Sequence, residues 1–166
     1  MVFQGPVSGG EKESLKTALE RHREVVLWKV QGLTDEQLRR PMTPSGITVL
    51  GIVKYLANLE YLWLCLPFGR AADAVSQKLM SQTAGADLRV APNETTAEIL
   101  TFYGRARAAA DEVIDDVILD GRGRSHSGED VTLRTALLHV VEEAARQVGH
   151  MDIVRELIDG QTGDRR

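Results

Sequence analysis

At 166 residues the chain fits one domain, long enough to bury roughly two-thirds of the surface its unfolded form would expose. A net charge of -4 and an isoelectric point near 5.6 argue against a general nucleic-acid surface, which would gather Lys and Arg on one face. No apolar run suggests a membrane span and the N-terminus lacks a signal-peptide core, so a cytoplasmic setting without a membrane partner is the expectation.

Residues 1–10 read as a flexible start, and VFQGP within them also resembles part of a viral protease site used in tags, so the segment is set aside from the fold. From Glu13 to Val30, Leu15, Ala18, Leu19, Val25, Val26 and Val30 recur at the helical period and predict a first amphipathic helix. His22 falls on that stripe as a packed or rim residue. In GLTDEQL, Thr34 can cap, Gln37 can complete a capping box and Leu33 can staple against Leu38, which predicts a short helical turn before Pro41.

A second long helix is expected from about Thr48 to Leu66, stopped by Pro67, Phe68 and Gly69. It holds the one cysteine, Cys65, which cannot close an internal disulfide and reads as a small buried thiol in YLWLCLPF. Residues 70–93 look like a long crossover with a helical turn around Ala74 to Met80. Thr95 and Glu98 form another capping box, and Ile99, Phe102, Ala106, Ala109, Val113, Ile114 and Val117 give a third helix its core face.

The Gly/Ser-rich stretch DGRGRSHSGED reads as a connector, with His126 an exposed loop histidine. A fourth helix follows from about Thr132 to Asp159, with Leu133, Leu137, Val140, Ala144, Val148, Met151 and Ile158 inward and Gly160 as its stop. Four long amphipathic helices without a convincing strand pattern predict an all-α four-helix bundle spanning residues 11–163 as one domain.

At about 100° per residue, the last helix sets His139, Glu143, Gln147 and His150 in one polar column beside its apolar stripe. Such a column either satisfies buried donors and locks the packing register, or lines a ligand pocket. Arg146 and Arg155 lie on its outer side and read as solvated charges or partners for Glu142 and Glu156.

Three blocks in order, LERHREVVLWKVQGLTDEQLRRPMTPSG, GIVKYLANLEYLW and TLRTALLHVVEEAARQVGHMDIVRELIDG, closely resemble the DinB/YfiT-like superfamily, nearest its actinobacterial branch. The resemblance implies a four-helix bundle with a long crossover. It also implies divalent-metal, thiol-dependent transferase or isomerase chemistry with mycothiol as the thiol. The family's three metal ligands would fall at Tyr55, Glu143 and Gln147, of which Glu143 alone keeps an ordinary metal-binding side chain.

The reading that follows is a degenerate metal site, in a small-molecule-binding or regulatory domain whose pocket is lined by Tyr55, Glu143, Gln147 and His150. No cofactor is then expected. The alternative is a metal-dependent, mycothiol-using transferase or isomerase with a rebuilt site, holding zinc or another divalent ion on Glu143 and His150 with mycothiol as co-substrate. A third is a homodimer whose helices form only an interaction surface. A small-molecule ligand and a second copy are thus the partners to consider, and nucleic acid is not.

Overall fold

The structure, a computed structural model, describes residues 9–71, 74–80 and 88–163. Most of the N-terminal stretch set aside above, and part of the crossover, lie outside these residues. The long helices are α1 (Glu11–Val30), α3 (Val49–Glu60), α5 (Thr96–Asp116) and α6 (Leu133–Asp159), with short α2 (Asp35–Arg39) and α4 (Ala74–Met80) between them. Both capping boxes form: Thr34 accepts from the Gln37 amide and Thr95 from that of Glu98, while each N3 side chain reaches back to its cap.

Cross-helix ion pairs give the topology directly. Glu11 meets Arg134 near the starts of α1 and α6, and Lys29 meets Asp152 near their ends, so these helices run parallel. Lys16 with Asp115 and Arg107 with Glu20 make α1 and α5 antiparallel. Trp63 beside His139 and Tyr55 beside Glu143 make the α3 segment antiparallel to α6. Tyr61 stacks on Phe102 and Lys54 pairs with Glu94 just before α5, so α3 and α5 run parallel. That parallel pair needs the long crossover through α4 that the sequence predicts.

The second helix departs from the expected continuous run to Leu66. Its α-helical part ends at Glu60 and continues as a π-helical turn, Tyr61–Cys65, then a 3-10 turn, Leu66–Phe68, with Gly69 closing it at φ 81°. Nothing in the apolar run marks a wider turn, because YLWLC has no polar position whose shift would show it. Val49–Phe68 is also long and apolar enough to cross a bilayer by composition, against the expectation above. Most of it is enclosed by the other helices, as suits a core helix.

The connector at 120–130 likewise holds a structure the sequence reading missed. Strands β1 (Arg122–Arg124) and β2 (Asp130–Thr132) pair antiparallel, with Gly123 opposite Val131, and leave His126 exposed at the tip. Three residues per strand are too few to show alternation. Gly123 is required here, since a β-carbon would collide with the Pro67 carbonyl of the 3-10 turn. Gly51 similarly lets the chain at Leu88 cross α3 closely.

The core forms from the predicted stripes, with Val26, Ile52, Leu56, Phe102, Ile114, Leu137 and Val140 fully buried. Polar groups the stripes do not disclose join it. Arg23 is only 2% exposed, and its guanidinium grips both carboxylate oxygens of buried Glu60, at 3.0 and 2.6 Å, while also reaching Asp111 at 2.6 Å and Glu20 at 3.1 Å. Burial pushes the Glu60 carboxyl above its ordinary pKa although Arg23 pulls it down. Burial also pushes the Cys65 thiol up to about 12, with the Glu60 charge adding to it, so this buried cysteine is unreactive.

Arg155 corrects the sequence reading. It is buried, donates to the carbonyls of Lys29 and Gln31 at 2.6 and 2.8 Å, and pairs with Asp159, closing the end of α1 onto α6. Removing one partner of a buried ion pair strands the other charge. Arg23→Met should therefore cost about 3–5 kcal/mol in urea unfolding, and Arg23→Met with Glu60→Leu should recover much of it.

Candidate ligand-binding site

The seam between α6 and the α3 segment brings Glu143 to Tyr55 of α3 and His139 to Trp63 of the π-helical turn, while Gln147 and His150 meet each other on α6. Glu60 faces α1, and Tyr55, five residues earlier, is turned about 140° from it around the helix, which aims its phenol at α6. Tyr55 Oη donates to Glu143 Oε2 at 3.1 Å. Arg146, 64% exposed, donates to Glu143 Oε1 at 3.3 Å. Burial pushes the Glu143 carboxyl up, but the hydrogen bonds from Tyr55 and Arg146 outweigh it and hold its pKa below the ordinary 4.5.

One turn on, buried Gln147 lies with its Oε1 3.2 Å from Nδ1 of half-buried His150. One turn before Glu143, half-buried His139 meets half-buried Trp63, their ring centroids 4.1 Å apart and tilted by 43°. Trp63 was not foreseen as a site residue. The sequence carried no clear signal for it: eight residues along a regular helix would turn Trp63 about 80° away from Tyr55. The π-helical turn begins between them and swings Trp63 onto the seam. His22, on α1, belongs to no such cluster; burial, with the Arg21 charge beside it, holds its pKa down.

The matching family is described as Mycothiol-S-transferase and covers residues 14–160. The chain belongs to this DinB/YfiT-like family. Among solved structures it is similar to YfiT from Bacillus subtilis, described as "a probable metal-dependent hydrolase with an unusual four-helix bundle topology", at 18% identity and a TM-score of 0.50. The match covers 96% of this chain and 95% of that one. At that identity the likeness shows the fold, and the parallel α1/α6 and α3/α5 pairs derived above give this bundle its own departure from up-down order. Among curated proteins, none matches the chain.

A divalent metal needs about three strong protein ligands. At the family positions this chain offers a phenol, a carboxylate and an amide, and both carboxylate oxygens are already engaged by donors. Among the described residues no three His, Cys, Asp or Glu side chains gather around one point. The donor set therefore does not fit a tightly held ion. What it does offer is a row of hydrogen-bonding groups flanked by an aromatic ring.

Removing the phenol tests the Tyr55 to Glu143 bond. Tyr55→Phe should lose about 1.5–3 kcal/mol of stability at neutral pH, as for hydrogen bonds to charged groups. Because the folded-state pKa of Glu143 is depressed, its stabilisation is complete above the unfolded value near 4.5 and lost as pH falls through the folded value. The gap between wild type and variant in urea unfolding should therefore be steady from pH 7 down to about pH 5 and narrow below about pH 4.

Proposed function

We propose that this domain is a small-molecule-binding or regulatory member of the mycothiol-S-transferase family that operates without a tightly bound divalent metal. The observation that carries this reading is the engagement of both Glu143 oxygens, one by Tyr55 and one by Arg146. In a metal site of the family's kind those oxygens would face an ion held also by residues at positions 55 and 147. Here the phenol fills that space with a proton donor, and Gln147 turns its oxygen toward His150.

The residues left on the seam bind rather than activate. Glu143 and Gln147 present acceptor oxygens, Tyr55 and His150 can donate or accept, and Trp63 supplies a ring at the upper end. The family's own thiol makes mycothiol the first compound to titrate. The rebuilt-site alternative draws no support from the geometry, since His150 faces Gln147 and Glu143 faces Tyr55 one turn away.

Restoring the missing ligands tests the reading. Tyr55→His with Gln147→His should recreate a three-ligand set around Glu143, and its zinc affinity should exceed the sum of the gains of the single substitutions, as for residues that share one ion. Calorimetric zinc titrations of the four proteins measure this. A double variant that binds zinc no better than wild type would show that these three positions do not converge as a vestigial metal site.

A further inference from the structure

Glu143 and Trp63 are electron-rich groups on the seam, and the protein sets a cation-forming side chain against each. Arg146 donates to Glu143 Oε1 at 3.3 Å from a side chain that is 64% exposed. The imidazole of His139 lies against the indole of Trp63, with ring centroids 4.1 Å apart. A carboxylate takes a guanidinium or amidinium through paired N–H donors, and the face of an indole attracts positive charge. His139 and Glu143 are one turn apart on α6, about 6 Å along the axis, and both meet the α3 segment. Ring and carboxylate therefore lie within the span of one small molecule.

Both internal contacts are replaceable in kind. Arg146 reaches its partner from solvent, and ion pairs of such exposed side chains are worth little. Half-buried His139 gives Trp63 a tilted ring contact, which a flat ligand ring exchanges for another of the same sort. The inner bond, from Tyr55 to Glu143 Oε2, stays in place throughout. Resting on the metal-free binding reading above, we propose that the seam takes a planar organic cation, an amidinium or guanidinium joined to an aromatic ring, with its N–H donors on Glu143 Oε1 and its ring on Trp63. Arg146 and His139 then act as internal competitors that hold the two subsites until the ligand arrives.

The test uses the full chain at neutral pH with four probes: benzamidine, acetamidine without the ring, benzamide without the charge, and benzoate with the charge reversed. Affinities are measured by calorimetry with chelator present, and the seam is watched by fluorescence in a Trp28→Phe background, which leaves Trp63 as the one tryptophan. Benzamidine should bind most tightly. Glu143→Gln should weaken it by about tenfold or more, as for hydrogen bonds to a charged group. Trp63→Leu should weaken benzamidine by about two- to fivefold and leave acetamidine unchanged. Arg146→Gln and His139→Ala should each tighten benzamidine by about two- to fivefold, a gain that a merely structural role for these side chains does not produce. Arg146→Gln alters an exposed side chain, so it keeps the test decisive where a seam variant fails to fold.

Benzamide or benzoate binding as tightly as benzamidine, and still sensitive to Trp63→Leu, would overturn the cation and leave the seam's binding role standing. Benzamidine binding that Glu143→Gln leaves unchanged would place the cation elsewhere and overturn the proposal. Affinities that neither Arg146→Gln nor His139→Ala improves would overturn the competitor arrangement on which the two subsites rest. Absence of benzamidine binding by both wild type and Arg146→Gln would overturn the ligand class. Binding that chelator abolishes and added zinc restores would instead overturn the metal-free reading beneath the proposal.

Discussion

A guanidinium enclosed among three helices has to be answered by carboxylates, and the Arg23 cluster sets much of what the rest of the bundle does. Arg23 on α1 holds Glu60 on α3 and Asp111 on α5 at once, and Glu20 links it to Arg107. Desolvating these charges is costly, so the cluster is a weak source of net stability. Its consequence is geometric. With Glu60 fixed toward α1, the rotation of α3 is fixed, and Tyr55 is turned to the α6 side.

The same residue marks where α3 stops being regular. Glu60 is the last α-helical position, and the π-helical turn after it carries Trp63 to His139. Such wide turns insert a residue into a helix and re-aim the side chains that follow. On one side of the helix Glu60 is held in the ion cluster, and on the other two aromatic residues line the seam. The 3-10 turn and Gly123 then tie the end of this helix to the hairpin that leads into α6.

Much of this was legible in the sequence. Period and capping located the four long helices and the short α2, because apolar stripes and boxes such as Thr34 with Gln37 are local properties. The polar column of α6 was legible for the same reason, as was the pairing of positions 55 and 143 once the family blocks were aligned. What escaped depends on distant partners. Arg23, Lys29, Lys54 and Arg155 look like surface charges in one dimension, and only their carboxylate and carbonyl partners on other elements make their burial tolerable. The hairpin escaped through its brevity, and the π-helical turn because YLWLC, without a polar position, leaves no stripe whose shift would show it.

In the DinB/YfiT-like fold the seam between these two helices is where the family's chemistry is expected, and this chain fills it with a neutral phenol against a carboxylate. A hydrogen bond of that kind can hold two helices in register without supplying a Lewis acid. The measurement that bears most directly on the account is elemental analysis of protein purified without a polyhistidine tag. Zinc, nickel and other divalent metals well below one equivalent, and removed by a brief exposure to chelator, is the predicted result. One equivalent that survives the chelator would contradict it, because a phenol, an engaged carboxylate and an amide at Tyr55, Glu143 and Gln147 could not retain it.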